Sequence, residues 1–364
     1  MSFELITELV RRYSPSEHEE PAVQYLVDWM QKHGFDQAYR DEVGNACGMR
    51  GSPDALYTLM LLGHIDTVPG KIMVRIEDGW LYGRGSVDAK GPLCAFTEAA
   101  AQAKVPSNWR VVVVGAVEEE IATSRGAYYI RDRFDPDACI IGEPSTAERI
   151  TLGYKGRLLV DYKLRQPMTH SSRPEPSVGA QGATFWQTVL DWVERQNSGY
   201  SRFFDQITPS LRSINTSDDD FYETLHMTIG FRLPPRLSPD EVLAAISRLA
   251  PPEGQLRGYS AEFAYQGDKN NGLVRGMLAA IRAQGKQPGF VLKGGTSDMN
   301  VVGVRWACPI IAYGPGDSHL DHSPDECLSL DEYAQAVATL CHLIEHIPEQ
   351  LPAEPVRVNI HSGD

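Results

Sequence analysis

The sequence predicts an α/β protein with a mostly parallel sheet and an inserted domain of the α+β type. Three observations indicate this. Continuous apolar runs rich in branched residues, such as "LYTLMLLG" and "WRVVVVGAV", are typical of strands that are buried on both faces. Helical stretches separate these strands, as parallel neighbours require. With 364 residues, the chain is also longer than a single ordinary domain.

The elements of the first predicted domain can be followed in order. The stretch "SPSEHEEPAVQYLVDWMQKHGF" predicts a helix, with Ser14 as its cap and Pro15 in its first turn. Buried strands follow in "LYTLMLLG" and "WRVVVVGAV", with a helix in "GPLCAFTEAAAQAK" between them. Shorter strands are expected in "DACIIG" and "CPIIAYG", and "NNGLVRGMLAAIRAQG" predicts a further helix.

The middle of the chain, residues 156–267, has a different pattern. "GRLLVDYKLRQ", "YETLHMTIGFRLPP" and "YSAEFAYQG" alternate like half-exposed strands, and "TPSLRSINTS" predicts another strand. "VGAQGATFWQTVLDWVERQ" and "SPDEVLAAISRLAPP" predict amphipathic helices. The resulting order, β-α-β-β-α-β, is the ferredoxin-like plan, inserted between residues 1–155 and 268–364 of the first domain.

Composition excludes several classes of protein. The formal net charge is −14 and no long basic run occurs, so neither nucleic acid nor an anionic membrane is expected as a partner. The sequence shows neither a secretory signal nor an apolar stretch of the roughly 20 residues that a membrane-spanning helix needs. The six cysteines are scattered, which predicts reduced thiols and a cytoplasmic protein.

Histidines and carboxylates follow the predicted buried strands. Ligands of open α/β sheets bind outside the carboxyl ends of the strands, so these side chains are expected to meet at one edge. The residues at these positions are His64, Asp66, Glu118, Glu119, Glu120, Glu143, His319 and His322, with Asp88 supplied by the loop "LYGRGSVDAKGP".

Each of these residues alone also has an ordinary structural interpretation. A histidine after a strand is usually a hydrogen-bonded surface residue, and a triple glutamate is usually a solvated turn. Their common position after buried strands favours a shared site instead. Two histidines with several carboxylates suit zinc, cobalt or manganese better than calcium. The number of carboxylates predicts two ions that share a bridging group.

His64 and Asp66 are two residues apart, so their side chains point the same way along an extended chain. Asp66 is therefore expected to accept a hydrogen bond from the second ring nitrogen of His64 and to orient the ring.

Hydrolysis at such a site also needs a group that takes a proton from water and passes it to the leaving amine. Glu119 and Glu120, at the end of a strand, can divide ligation and proton transfer between them.

The motifs around these residues resemble the di-zinc amidohydrolases, a family that includes acetylornithine deacetylase, succinyl-diaminopimelate desuccinylase, aminoacylase and glutamate carboxypeptidase. "GHIDTVP", "GRGSVDAKG", "VEEEIATSRGA", "IGEPS" and "HSPDE" resemble the family's motifs in order, over nearly the whole chain. The resemblance implies a zinc-exopeptidase-like catalytic domain formed by residues 1–155 and 268–364. It also implies that residues 156–267 are a lid that mediates a homodimer.

The resemblance implies a metal-binding role for five residues. One divalent ion, most simply zinc with cobalt as the alternative, would be held by His64, Asp88 and Glu143. The other ion would be held by Asp88, Glu120 and His322. Asp88 would then bridge the two ions.

Further roles are implied for residues beside these ligands. Asp66 would orient His64, and Glu119 would act as general base and then as general acid. His319 competes with His322 for the last ligand position, and the spacing to "PDE" favours His322.

Substrate-binding residues are implied for the inserted domain and the segment after it. His170, in "MTHSSRPEPSVGA", would stabilise the oxyanion of the tetrahedral intermediate, within its own subunit or across the dimer. The glycine that often precedes this segment in the family is missing here. The segments that would bind the substrate carboxylate, with a strand salt bridge and a plain turn as the alternatives, are Arg232 and the residues Gly294, Gly295, Thr296 and Ser297.

"GYKGR", the short lid and "GDSHLDHSPDE" are most similar to the branch of the family that releases lysine or ornithine from an amino-group carrier protein. In that branch the amide joins the side-chain carboxyl of the carrier's C-terminal glutamate to the amino acid. Such carriers are acidic, so a local basic patch is expected despite the net charge of −14. Residues that can contribute to it are Arg125, Arg131, Arg133, Lys155, Arg157 and Arg173.

Other functions remain alternatives at this point. N-acetylornithine deacetylase is the nearest, followed by succinyl-diaminopimelate desuccinylase. A different class is a catalytically inactive relative that binds metal or amino acids, but such a protein is expected to have lost Glu119 or a ligand. A nucleotide-binding α/β protein is disfavoured because no phosphate-binding loop follows the first buried strand.

Overall fold

The computed structural model describes residues 2–170 and 174–350, and the chain separates into two compact units. The first unit consists of Met1–Gly153, Gly267–Leu292 and Ser297–Asp364. The second unit consists of Tyr154–Gln266 and Lys293–Thr296. Within the described ranges, none of the helices combines the length and apolarity of a membrane-spanning segment.

The described helices and strands are numbered in chain order. The helices are α1 (Glu4–Arg11), α2 (Glu20–Lys32), α3 (Lys90–Gln102), α4 (Arg125–Arg133), α5 (Val178–Asn197), α6 (Pro239–Leu249), α7 (Gly272–Ala283), α8 (Asp298–Gly303) and α9 (Leu330–Gln350), with a 3₁₀ turn at Phe203–Asp205. The strands are β1 (Gln37–Arg40), β2 (Ala46–Gly51), β3 (Tyr57–His64), β4 (Arg75–Glu77), β5 (Trp80–Tyr82), β6 (Trp109–Ala116), β7 (Ala138–Gly142), β8 (Arg149–Tyr154), β9 (Gly156–Pro167), β10 (Thr208–Asp218), β11 (Tyr222–Leu233), β12 (Gln255–Glu262), β13 (Tyr265–Gln266), β14 (Gly289–Lys293), β15 (Ile310–Ala312) and β16 (Cys327–Ser329).

The main sheet of the first unit has the order β1-β2-β6-β3-β7-β15-β8. Its central strands β6, β3, β7 and β15 are parallel, and β1 and β2 are antiparallel additions at one side. A small antiparallel sheet, β16-β5-β4, belongs to the same unit. The α/β fold with a mostly parallel sheet is therefore confirmed.

The central strands are buried because their side chains are apolar on both faces. Residues 59–62 of β3 and 111–114 of β6 are almost completely inaccessible to solvent. Helices α1, α2, α3, α7 and α9 contribute to the same hydrophobic core, through residues such as Leu5, Val23 and Met277. A strand that is covered on both faces has no solvated side on which to place a polar residue, so its polar residues come at its end.

The second unit has one antiparallel sheet in the order β10-β11-β9-β12. Its elements follow one another as β9, α5, β10, β11, α6 and β12, which is the ferredoxin-like order. One face of this sheet forms a separate core with α5 and α6, in which Tyr162 and Met227 pack near Phe185 and Val242. Ser238 begins α6 with a capping box, because its hydroxyl accepts from the backbone N–H of Glu241.

The predicted start of the first helix is wrong. Ser14 does not cap a helix: α1 ends before it and α2 begins only at Glu20. The Ser14 hydroxyl donates to the carbonyl of Ile65 at 2.8 Å, and its carbonyl accepts from the N–H of Thr67. Pro15 forms a parallel bridge with Thr67. These contacts hold the segment extended against the chain that follows β3, which a local capping pattern cannot reveal.

Glu98, on α3, gives a prediction about stability. Burial raises the pKa of its carboxyl from 4.5 to about 7, and its side chain lies next to Tyr333. The folded chain therefore holds this proton more tightly than the unfolded chain, so Glu98 makes the protein less stable as the pH rises from about 4.5 to about 7. The unfolding free energy of Glu98→Gln relative to that of wild type is expected to be about 2 kcal/mol larger at pH 8 than at pH 5.

Urea unfolding of both proteins at the two pH values measures this difference. A difference in unfolding free energy that is the same at pH 5 and pH 8 would contradict the assignment of a raised pKa to Glu98.

Candidate metal centre

The carboxyl ends of the central parallel strands bring several of the predicted site residues together. Strand β3 ends at His64, β6 at Ala116 just before the triple glutamate, and β7 at Gly142 just before Glu143. The registers pair His64 with Ala116, so the first two strands end at the same level. Their polar residues therefore meet at one edge of the sheet, as the sequence predicts.

Asp88 lies between the two histidines of the site. Its Oδ1 is 3.1 Å from Nε2 of His64, and its Oδ2 is 3.0 Å from Nε2 of His322. Nε2 of His322 is also 3.1 Å from Oε2 of Glu120. Ligand atoms of His64, Asp88 and Glu120 all lie within 4.8 Å of one another, which is a spacing that suits a metal centre.

The charges of these groups stabilise one another. Burial alone would raise the pKa of Asp88, but hydrogen bonds to His322 and His64 lower it well below its usual range. The carboxylates of Asp88 and Glu120 raise the pKa of His322 to about 10. The Asp88 carboxylate is therefore held ionised, whereas burial and the neighbouring charge of Asp88 raise the pKa of Glu120. A divalent cation bound here would take the place of the histidine protons, because imidazole ligates in its neutral form.

His64 is held in one orientation from its other ring nitrogen. Nδ1 lies 3.1 Å from the backbone carbonyl of Asp66 and 3.3 Å from its Oδ1. The Asp66 carboxylate is itself fixed by the hydroxyl of Ser16, at 2.7 Å, and by the backbone N–H groups of Glu119 and Glu120, each at 3.1 Å. Asp66 thus links the histidine to the glutamate segment, and Nε2 is left facing Asp88.

Glu119 has a raised pKa and is therefore a weaker acid than an ordinary glutamate. Burial raises its pKa well above the ordinary value, and the neighbouring charges of Glu143 and Asp298 raise it further, while His64 opposes them. Its Oε2 lies 4.0 Å from Nε2 of His64. A carboxylate beside the candidate ligands whose pKa is raised can both accept and return a proton.

The two histidines after β15 differ in their surroundings. His322 contacts Asp88 and Glu120, whereas the side chain of His319 is 92% exposed and its Nδ1 lies 2.7 Å from Oδ1 of Asp317. The structure thus brings His322, and not His319, to the cluster.

A buried ion pair that the sequence does not reveal supports Asp88. Oε1 of Glu326 accepts from the backbone N–H groups of Val87 and Asp88, at 2.9 and 3.1 Å. Its Oε2 accepts from Arg84 at 2.8 Å, and both side chains of this pair are almost fully buried. Glu326 is the last residue of "HSPDE", but its partners lie about 240 residues earlier, so only the fold brings them together.

Glu326→Gln is expected to weaken metal binding about 10- to 100-fold, because supporting groups of this kind set the position of a ligand. Glu326→Ala is expected to cost about 3–5 kcal/mol of stability as well, since it leaves Arg84 buried without its partner. Metal titration and thermal unfolding of both variants measure the two effects. Wild-type metal affinity in a folded Glu326→Gln protein would contradict this account.

The predicted substrate-binding residues are placed as follows. In the second unit, Arg232 on β11 donates from Nη1 to the hydroxyl of Thr296 at 3.0 Å, and His170 is exposed.

Gly294 lies against the ring of Phe203, so an added Cβ would come within 2.8 Å of it, whereas Gly295 has open space at that position. In the first unit, the Ser297 hydroxyl caps α8 by accepting from the N–H of Met299. The serine therefore has a structural role of its own.

The donor set fits a pair of divalent ions. Imidazole and carboxylate ligands without cysteine suit zinc and its neighbours. The two oxygens of Asp88 face different histidines, which is the arrangement of a carboxylate that serves two ions at once.

Comparison with known proteins matches the chain to a peptidase family and to a similar hydrolase. Residues 60–346 match the model of peptidase family M20/M25/M40. The chain is 44% identical over 351 residues to the [LysW]-lysine hydrolase of Deinococcus radiodurans, covering 93% of this chain and 94% of that protein.

Two solved structures show the same fold at low sequence identity. The M20 family metallo-carboxypeptidase Sso-CP2 of Sulfolobus solfataricus has a TM-score of 0.76 at 18% identity, covering 96% of this chain and 100% of that chain. The YXEP protein of Bacillus subtilis, described as a dinuclear metal binding peptidase, has a TM-score of 0.69 at 11% identity. The latter comparison covers 96% of this chain and 98% of that one.

Proposed function

The chain belongs to peptidase family M20/M25/M40, and we propose that it is a metal-dependent amide hydrolase that releases lysine, or ornithine, from an amino-group carrier protein. The observation that carries this proposal is the 44% identity, over nearly the whole of both chains, to a protein named for that reaction on lysine. The bond cleaved joins the side-chain carboxyl of the carrier's C-terminal glutamate to the amine of the released amino acid. The reaction belongs to lysine or arginine biosynthesis.

The proposed metal ligands are those that the sequence motifs indicate. His64, Asp88 and Glu143 would hold one ion, and Asp88, Glu120 and His322 would hold the other. The two contacts of Asp88 with histidine, at 3.1 and 3.0 Å, support its role as the shared ligand. The ions are zinc, with cobalt as the alternative, because both accept imidazole and carboxylate ligands in this number.

Glu119 is proposed as the group that moves the proton. Bound divalent ions would lower the pKa of water and polarise the amide carbonyl. Glu119 accepts a proton as the water oxygen bonds to the amide carbon, and returns it to the nitrogen as the carbon–nitrogen bond breaks. The products are the carboxylate of the carrier's glutamate and the protonated amine of lysine, whose nitrogen ends with both protons of the water. The raised pKa of Glu119 supports its role as both proton acceptor and proton donor.

The second unit is proposed to complete the substrate site as a lid. His170 would stabilise the oxyanion that forms on the amide carbonyl, and Arg232 with the residues 294–297 would bind a substrate carboxylate. The hydrogen bond between Arg232 and Thr296 supports this, because it fixes the guanidinium beside a glycine-rich segment. We also propose a homodimer formed through this unit, and a cytoplasmic location.

A comparison of substrates tests the proposal. The panel consists of the lysine-loaded and ornithine-loaded carrier, N-acetylornithine, N-acetyllysine and N-succinyl-diaminopimelate, each with zinc or cobalt and with chelator as control. The highest kcat/KM is expected for a loaded carrier. A preference for N-acetylornithine or the succinyl compound would replace the carrier by that substrate and leave the metal centre in place.

A further inference from the structure

The basic residues that the sequence suggests for an acidic partner are engaged within the chain. Those of α4 form ion pairs: Arg125, Arg131 and Arg133. In the second unit, Lys155 is fully buried and Arg157 lies 4.0 Å from Glu262. Arg173 lies outside the described residues. A carboxyl group of the first unit, in contrast, is buried without such a partner.

This group is the side chain of Glu98, the only acidic residue of α3. It is 5% exposed, and its buried Oε2 accepts no hydrogen bond from any described residue. The hydroxyl of Tyr333 lies beside it, and it too is without a hydrogen-bond partner within the described ranges. Glu326 of the same unit is as deeply buried, but it is paired with Arg84. Since buried carboxylates are normally paired or hydrogen-bonded, the exception at Glu98 indicates a group that binds from outside.

Glu98 forms part of the wall of a cavity between α1, α2 and α3. The cavity has a volume of about 680 Å³, within the range of roughly 300–1,000 Å³ that is usual for small-molecule sites. The described residues that line it are Ser2, Glu4, Leu5, Trp29, His33, Glu98, Ala101 and Gln102. None of these eight belongs to the candidate metal centre, so the cavity is a separate feature of the first unit.

The charge of this wall favours a cation. The eight described lining residues include two carboxylates, Glu4 and Glu98, and neither lysine nor arginine. Glu98 is buried and Glu4 is exposed, so negative charge lies both deep in the wall and near the solvent. An ammonium group offers the opposite charge and three N–H donors. Burial raises the pKa of Glu98 to about 7, and a bound ammonium would favour the ionised form of its carboxyl.

The rest of the wall suits a short alkyl chain. Leu5 and the indole of Trp29 contribute apolar surface on which methylene groups can pack. The ring of His33 stacks on this indole, with centroids 3.9 Å apart and planes at 9°. His33 also donates from Nδ1 to the carbonyl of Trp29 at 2.7 Å, which fixes the aromatic pair. The cavity thus combines a carboxylate that lacks a counter-ion with an ordered apolar side.

We infer that this cavity binds the ammonium group of a small alkylamine, with Glu98 as its counter-ion. The inference does not depend on the proposed function, because the cavity lies apart from the candidate metal centre. The ammonium group can belong to a free diamino acid or to a diamine without a carboxylate. Lysine and cadaverine are the probes for these two sources.

Isothermal titration calorimetry at pH 8 tests the inference, since the Glu98 carboxyl is mostly ionised there. The ligands are lysine, cadaverine and 1,5-pentanediol, a neutral molecule with the same carbon chain as cadaverine. The proteins are wild type, Glu98→Gln, Gln102→Lys and the matched control Glu194→Gln, which changes an exposed glutamate of α5. Thermal unfolding shows that each variant is folded. Comparison of the variants separates the cavity from any binding of lysine at the metal centre.

Wild type and Glu194→Gln are expected to bind at least one of the two amines with affinities within about twofold, and not the diol. Glu98→Gln is expected to weaken this binding at least about tenfold, the usual effect of losing a hydrogen bond between charged groups. Gln102→Lys is expected to weaken it as well, because the exposed lysine adds a repelling charge to the wall.

Tighter binding of lysine than of cadaverine would support a diamino acid as the ligand, and the reverse order would support a diamine. Three results would overturn the inference: neither amine binds to wild type, the diol binds as tightly as cadaverine, or folded Glu98→Gln keeps the wild-type affinity.

Discussion

Glu119→Gln is expected to lower kcat by about 10³- to 10⁴-fold while leaving two metal ions bound. Glutamine keeps the shape of the side chain but cannot accept a proton from water or return one to the leaving amine. The ligand contacts of Asp88 with His64 and His322 do not involve Glu119, so metal content should not change. Steady-state turnover of the loaded carrier and metal analysis of the same sample measure the two effects.

The same triple glutamate provides a matched control. Glu118 is also buried, but its carboxylate accepts from Thr123 at 2.7 Å and pairs with Arg125 at 2.6 Å, away from the cluster. Glu118→Gln is therefore expected to retain turnover within a few-fold of wild type. If Glu118→Gln lost turnover as Glu119→Gln does, or if Glu119→Gln remained active, the assignment of proton transfer to Glu119 would be wrong.

Asp88→Asn is expected to abolish activity by a different route, through loss of the metal ions. Its two carboxylate oxygens face different histidines, and an amide offers one oxygen and a nitrogen that cannot ligate. We expect fewer than one ion per chain after dialysis and a loss of turnover of at least about 10⁴-fold, because both proposed metal sites include this residue.

Asp78→Asn is the control for this substitution, since Asp78 is exposed in the turn between β4 and β5. It makes the same chemical change and should leave metal content and turnover at wild-type levels. Two firmly bound ions in the Asp88→Asn protein would show that the aspartate does not bridge them.

The sequence predicts the parts of this site that depend on local pattern. The period of two along an extended chain places Asp66 on the same side as His64, and the structure has the two side chains in contact. The burial of β3 and β6 on both faces follows from their unbroken apolar runs. The individual ligand roles come from resemblance to known motifs, and they remain predictions until variants are measured.

Features that depend on distant contacts could not be read from the sequence. Glu326 supports Asp88 across 238 residues, and Ser14 bonds to the chain after β3 instead of capping a helix. By sequence alone, the basic residues of α4 suit an acidic partner. In the structure, however, Arg125 pairs with Glu118 and Arg133 with Glu42. Whether a surface charge is available depends on which acidic side chain the fold places beside it, and no local pattern carries that information.

The most direct test of the central claim is a metal titration with the loaded carrier as substrate. Chelator-stripped protein receives increasing zinc or cobalt while release of free lysine is followed. We predict no release without metal, and a rise to a plateau at two ions per chain. Lysine release that persists in chelator, or a plateau reached with no metal bound, would contradict the account of this protein as a two-metal amide hydrolase.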